Sequence, residues 1–365
     1  MLMINDLLRH NQKIMGELNS KVTEVLESGW YVLGGQVKEF EREFASYCGV
    51  EHCVSVANGT DALELALRAL DVRQGDKVIT VANAGAYSTT AILAVGAKPV
   101  YADVDADSLL LSIEYLRHVI NVETRAIVVT HLYGQTAPVH EVIALAAEYG
   151  IPVIEDCAQA HGAMINGRRV GSFGTLGCFS FYPTKNLGAL GDGGAVTTND
   201  VTLAKRVQML RQYGWQSKYE IDLVGGRNSR LDELQAAILR VKLPYLDSWN
   251  QRRFEISQLY VAGIHHPLIT LPHIAKSSFV GHLFVVRSSR RDQLREHLKQ
   301  NQIMSEVHYP IPDYRQPALG ALFSGLSLTQ TERACAEILT LPCFPEMSDA
   351  EIKHVIDVVN SWSAA

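Results

Sequence analysis

From about residue 50 the chain alternates short apolar runs with longer stretches whose apolar residues recur every third or fourth position. "HCVSVA" (52–57) leads into "TDALELALRAL", where Leu63, Leu67 and Leu70 fall at helical spacing. "KVITVA" (77–82) precedes "STTAILAVG", "KPVYADV" (98–104) precedes "LLLSIEYLRHVI", and "AIVVTHL" (126–132) precedes "VHEVIALAAEYG". "IPVIED" (151–156), "CFSFY" (178–182) and "AVTTN" (195–199) bring the apolar runs to seven. Strands that alternate with helices predict crossover units and an α/β fold, with a mostly parallel seven-stranded sheet covered on both faces. Ligands of such sheets bind beyond the carboxyl ends of the strands.

After about residue 240 the pattern changes. "RLDELQAAILRVKLPYLDSWNQRRFEISQLYVAG" reads as a long helical stretch, with Pro244 predicted to kink or break it. Beyond it come a strand "HLFVVRS" (282–288), a helix "RDQLREHLKQNQ", the loop "VHYPIPDYRQPA" and a last helix "DAEIKHVIDVVNSW". The predicted organisation is a large domain over residues 1–240, including an N-terminal helical segment, and a small α+β domain over 241–365. The long helix is placed to serve both.

The 365 residues are 47% hydrophobic and 20% charged, ample for a sizeable core and more than one core usually sustains. A net charge of −6 and no basic stripe argue against a nucleic-acid or anionic-membrane partner. No apolar run reaches the ~20 residues that span a bilayer. "MLMINDLLRHNQKIMGEL" carries charges throughout and lacks the apolar centre of a signal peptide. The six cysteines show no metal-like spacing, so the expectation is a cytoplasmic protein with reduced thiols and no metal. Cys157 reads as a small buried hydrophobe rather than a nucleophile.

Three features fall at the predicted carboxyl edge of the sheet. In "VANGTDALELAL" (56–67) a strand passes through Asn-Gly-Thr into a helix, and Gly59 permits close approach of a phosphate to the helix N-terminus. A plain helix cap by Thr60 or Asp61 explains the same residues. In "VIEDCAQAHGA" (153–163) an apolar strand ends in two carboxylates, one of them expected to face inward, where it must be paired with a cation or hydrogen-bonded. Capping by Asp156 is the alternative, and His161 reads as structural. In "SFYPTKNLGALGDGGAV" (180–196) Lys185 sits among small and apolar residues, with four glycines over 188–194. Such surroundings disfavour the ammonium form and make the amine a nucleophile toward carbonyls. Phosphate cradle, strand-end carboxylate and lysine, in that order, match the needs of pyridoxal phosphate: N–H donors, an acid for the ring nitrogen and an amine for the aldehyde.

These segments, together with "GWYVLGGQVKEFEREFASYCGV", "GAKPVYADVD", "GGRNSRLDELQAAIL" and "VHYPIPDYRQPA", resemble the DegT/DnrJ/EryC1/StrS family of sugar aminotransferases over nearly the whole chain. The resemblance implies an aspartate-aminotransferase-like fold. It implies that Lys185 joins the cofactor and moves the proton, Asp156 pairs with the ring nitrogen, and Gln159 bonds the phenolic oxygen. Gly59, Thr60 and Ser180 would hold the phosphate, with Asn228 reaching the phosphate of a neighbouring subunit in a homodimer. Where the family sets an aromatic against the cofactor face this chain has Gly85 in "VANAGAYSTTA"; either Tyr87 supplies the ring with a local shift or the face is covered otherwise. Tyr182, Arg230, His308 and Tyr309 are the expected substrate contacts. The implied reaction moves an amine from glutamate to a nucleotide-linked keto sugar. "NSR" with Ser229 points to a dTDP-3-keto-6-deoxyhexose rather than a 4-keto sugar. A non-catalytic regulator on the same scaffold is the reading from another class.

Overall fold

A computed structural model describes residues 1–363. Each of the seven apolar runs forms a strand: β1 His52–Val56, β2 Lys77–Thr80, β3 Lys98–Tyr101, β4 Thr124–Thr130, β5 Val153–Asp156, β6 Leu176–Ser180 and β7 Gly194–Thr198. They build one sheet in the order β1-β7-β6-β5-β4-β2-β3. Pairings from β6 through β5, β4 and β2 to β3 are parallel, while β7 is antiparallel to both β6 and β1. The reason lies in the link between β6 and β7. A parallel return needs a crossover of a dozen or more residues, usually a helix, whereas this link spends its residues on the glycine-rich turn around Lys185 and contains no helix.

Helices cover both faces. Gly59–Ala69 packs one face with Leu63, Leu65, Leu67 and Ala66, all buried against Val54, Val78 and Val128. On the other side a separate cluster joins Phe40, Phe44, Phe179 and Phe181 beneath the end of β6. Phe44 stacks edge-on to Phe179 and Phe181 with ring centroids 5.0 and 5.3 Å away. These rings support the strand that delivers the Lys185 turn.

The predicted long helical stretch is two helices, Glu233–Lys242 and Leu246–Gly263, joined by a short 3₁₀ turn containing Pro244. Leu246 belongs to the large core, whereas Ile256 and Tyr260 belong to a second core with Phe284, Leu294, Leu339 and Val355. One helix therefore serves both layers. In the C-terminal layer β8 Phe284–Arg287 pairs antiparallel with β9 Ile338–Leu341, a strand the sequence pattern does not announce. The N-terminus also attaches there, away from the helices that follow it. Leu2 bridges to Ile303, Arg9 pairs with Glu351 at 2.8 Å and His10 with Glu346 at 3.0 Å. The first ten residues thus belong spatially with the C-terminal layer, although they stand within 1–240. The last two residues of the 241–365 assignment lie outside the described residues. Among the described residues no helix is long and apolar enough to cross a membrane.

Because Phe44 is fully buried among four other rings, Phe44→Ala is expected to lower the unfolding free energy by about 3–5 kcal/mol. Urea titration would read this as a lower midpoint at unchanged slope; a loss below about 1 kcal/mol would contradict the packing described.

Candidate active site

A cavity of about 770 Å³ opens at the carboxyl ends of the parallel strands. Its walls bring together Gly59, Thr60, Tyr87, Asp156, Gln159, Ser180, Tyr182, Lys185, His308 and Tyr309. Asn228 and Arg230 are outside it. Asn228 is exposed and Arg230 half-buried, and neither uses its side chain within the described residues.

The helix that begins at Gly59 is capped by neither Thr60 nor Asp61. The Asn58 side chain accepts from the Asp61 N–H at 2.8 Å, and Asp61 instead pairs with Arg227 at 2.9 Å. Gly59 and Thr60 line the cavity, and as first-turn residues their N–H groups have no intrahelical partner. A Cβ on Gly59 would come within 2.5 Å of the Ser180 Cβ, so only glycine lets this helix end lie against β6. Ser229, tied in the sequence reading to the sugar position, is fully buried, and its Oγ accepts from the Ala57 N–H at 3.1 Å. It fixes the strand end before the helix and does not line the cavity.

The two carboxylates that close β5 point to opposite sides of the sheet, as alternation requires. Glu155 is buried away from the cavity. It accepts from His131 at 3.0 Å and from the N–H groups of Gly171, Phe173 and Gly174 at 2.9, 2.7 and 2.7 Å. Burial pushes its pKa up, but His131 and these N–H groups outweigh it and hold the carboxyl below its ordinary value. Asp156 faces the cavity. It accepts from the Ala158 N–H at 3.1 Å and stands 3.5 Å from the Thr130 hydroxyl. Burial raises its pKa, against the pull of the Ala158 N–H and the positive Lys185. It is a dehydrated carboxylate that a cation would stabilise, and it starts no helix.

Lys185 follows β6 in a turn where its N–H donates to the Tyr182 carbonyl at 2.8 Å. Dehydration pushes its pKa down to about 8, although Asp156 opposes that shift. Its neighbour Asn186 is locked by Asn250 at 2.8 Å, the Val280 carbonyl at 3.0 Å and His282 at 3.0 Å. Further along the turn the buried Lys242 ammonium donates to the Gly188 carbonyl at 2.9 Å. His161 is buried against Phe179 and Phe181, with burial holding its pKa near 3, so it is a neutral packing residue. Cys157 is likewise buried, its thiol pushed well up by the same cause.

Gln159 accepts from the Tyr133 N–H at 2.7 Å and donates to the Tyr309 hydroxyl at 3.1 Å. The ring of Tyr309 occupies the space above Gly85, where a Cβ would meet it at 2.8 Å. Tyr87 is half exposed and touches the cavity edge-on to Tyr309, with centroids 6.0 Å apart. The loop carrying Tyr309 is fixed to the Gly85 loop by Asp313. Its carboxylate accepts from the Ala86 N–H at 3.0 Å and the Thr89 hydroxyl at 2.6 Å.

Several wall residues escape sequence reasoning: Thr130, Arg253, His282, Glu306 and the N-terminal Met3, Ile4 and Asn5. Asn5 reaches the Thr184 carbonyl, next to Lys185, at 3.3 Å. Arg253 had a legible signal. Positions 246, 250, 253, 257 and 260 form a helical stripe, and Asn250, Arg253 and Ser257 put polar groups on what should be its apolar side.

The model of the DegT/DnrJ/EryC1/StrS aminotransferase family matches residues 12–360. A protein of Aneurinibacillus thermoaerophilus named dTDP-3-amino-3,6-dideoxy-alpha-D-galactopyranose transaminase is 47% identical over 358 residues, 98% of each chain. A dTDP-3-amino-3,4,6-trideoxy-alpha-D-glucose transaminase of Streptomyces venezuelae is 42% identical over 361 residues, covering 98% of this chain and 95% of that protein. The crystal structure of S. venezuelae DesV in complex with a ketimine intermediate superposes with a TM-score of 0.95 at 42% identity, over 98% of this chain and 97% of that one.

An amine is nucleophilic only when deprotonated, so Lys185 should react slowly below its lowered pKa and fully above it. In the ligand-free protein, reductive methylation of Lys185 should half-saturate near pH 8, while exposed lysines follow a rise near their ordinary pKa of about 10.4. A Lys185 profile superimposed on the surface lysines would contradict the dehydrated cavity.

Proposed function

Since the chain belongs to the DegT/DnrJ/EryC1/StrS aminotransferase family, we propose that it carries an amine from glutamate to C-3 of a dTDP-linked 3-keto-6-deoxyhexose, using pyridoxal phosphate. One observation carries the reading: a lysine of lowered pKa, an inward dehydrated carboxylate and a bare helix N-terminus converge in one cavity. The residues fit the cofactor group by group. The free N–H groups of Gly59 and Thr60, with the Ser180 hydroxyl beside them, suit a phosphate. Asp156 supplies the negative charge that keeps a ring nitrogen protonated. Gln159 would offer its amide to the phenolic oxygen, and the Tyr309 ring above Gly85, with Tyr87 edge-on to it, would cover the cofactor face.

When bound, pyridoxal phosphate supplies an aldehyde for the amine and a ring that withdraws electrons from the adjacent carbon. The chain does the rest. Lys185 Nζ, whose lowered pKa of about 8 brings the free amine within reach near neutral pH, would take the proton from the donor Cα and return one at the sugar carbon in the second half. Asp156 would be the acidic partner of the ring nitrogen, its carboxylate stabilised by the Ala158 N–H and by Lys185. Tyr133, through its N–H, and Tyr309 hold Gln159 in one orientation, and Lys242 and Asn186 hold the lysine turn. Tyr182 and His308 stand at the wall where a sugar enters. Transfer at C-3 is supported by the names of the two relatives described above, both of which carry the amine there.

Asn228 and Arg230, exposed and half-buried outside this chain's own cavity, support a homodimer in which each subunit completes the other's site. The reading places the enzyme in the cytoplasm, where nucleotide-linked sugars are made.

Two outcomes test this. Offered the aminated cofactor and a panel of dTDP-linked keto sugars, the protein should convert the 3-keto compound to its amine, read by mass; conversion of a 4-keto sugar alone would overturn the C-3 assignment. Hybrids of Lys185→Ala and Asn228→Ala subunits should regain one intact site per dimer, and with it activity above either parent. No gain on mixing, with exchange shown by mass, would contradict a site shared between subunits.

A further inference from the structure

Arg253 is a wall residue of the cavity whose charge has no counter-charge beside it. It lies on Leu246–Gly263 with only 3% of its surface exposed. Its Nη1 donates to the carbonyls of Cys343 and Gly281. Its Nε is buried with no partner, and it forms no ion pair within the described residues. Glu346, the acid whose field it feels, is engaged by His10 at 3.0 Å. A buried cation without a counter-charge is strongly unfavourable unless an anion joins it. Burial accordingly pulls even this guanidinium below its ordinary pKa.

The cation stands close to the chemistry. Arg253 and Lys185 both depress the pKa of His282, which sits on the cavity wall and is bonded to Asn186 beside the lysine. Its wall is formed by Leu283, Met304 and Cys343 of the C-terminal region, whereas the N–H groups suited to a phosphate project from the sheet side at Gly59 and Thr60. A guanidinium presents parallel N–H donors in a plane that matches a carboxylate.

We propose that Arg253 seats one carboxylate of the dicarboxylic amino donor, and so selects glutamate in the first half of the reaction. This rests on the aminotransferase reading above. It also accounts for a polar stripe on a helix that packs against two cores: Asn250 fixes the lysine turn and Arg253 fixes the donor.

The test uses the cofactor-loaded enzyme and glutarate, a dicarboxylate with no amine to transfer. Relative to wild type, Arg253→Met should weaken glutarate binding by calorimetry, and raise the glutamate concentration that half-saturates the first half-reaction, by about 10- to 100-fold. Its affinity for dTDP, its cofactor absorption and its second half-reaction with the keto sugar should stay at wild-type values. Arg253→Lys keeps the charge but loses the planar fork, and should fall between the two. The proposal is overturned if glutarate binding is unchanged in either variant, if dTDP binding is lost instead, or if both half-reactions fall together with the melting temperature, which is the signature of a structural clamp. If Arg253→Met fails to fold, the lysine variant decides by the same glutarate measurement. A wild-type enzyme that takes up no cofactor would defeat the functional reading itself, a result separate from all of these.

Discussion

An amine on Lys185 and a carboxyl on Asp156 share one dehydrated cavity, each opposing the proton shift that burial imposes on the other. Burial alone would drive both toward neutrality; their mutual attraction restrains that drift, leaving the amine poised near pH 8. The rest of the large layer serves to keep this pair where it is. Asp156 is delivered by the end of a parallel strand flanked by β4 and β6, so its position is fixed by ladder hydrogen bonds on both sides. Lys185 sits on an irregular turn, and the structure compensates with side-chain anchors: Asn186 bound from three directions and Lys242 on the Gly188 carbonyl. The Lys242 contact on the Gly188 carbonyl explains why the segment has small residues and glycines. Backbone carbonyls must come close enough to be held.

The C-terminal layer contributes lining rather than this central pair. Tyr309 enters from it to cover Gly85, and Asp313 fastens the two loops together through the Ala86 N–H and the Thr89 hydroxyl. The N-terminal residues lie on the same layer and reach the lysine turn through Asn5. Segments from both ends of the chain thus converge over a cavity whose floor is the sheet.

Much of this was legible from residue patterns. Seven apolar runs gave seven strands, because fully buried strands leave an uninterrupted apolar signature. Direction is different. The antiparallel course of β7 follows from the link before it, and an apolar run carries no arrow. The strand Ile338–Leu341 was hidden because it follows the helix Thr329–Glu337 without a break and runs directly into Pro342. Lys185 and Asp156 stood out as charges among apolar neighbours. The helix cap was misplaced by a residue or two: Asn, Thr and Asp all favour caps, and only the geometry shows that Asn58 takes the role and frees Gly59 and Thr60. The ring over Gly85 was sought nearby, in Tyr87, since a sequence window cannot see that Tyr309 arrives from another layer. Ser229, whose place in "NSR" pointed by resemblance to a 3-keto sugar, does its local work at a strand end, where its hydroxyl accepts from the Ala57 N–H. Arg253 lies outside the motifs that the sequence analysis draws on, although its place in the buried stripe marks it.

Everything in the account depends on a covalent bond between Lys185 and the cofactor aldehyde in this cavity. Reduction of the loaded protein with borohydride, followed by proteolysis and mass mapping, tests it directly. The account predicts a stoichiometric pyridoxyl label on the peptide containing Lys185 and on no other. A label on Lys242, on a surface lysine, or on no peptide at all would contradict it.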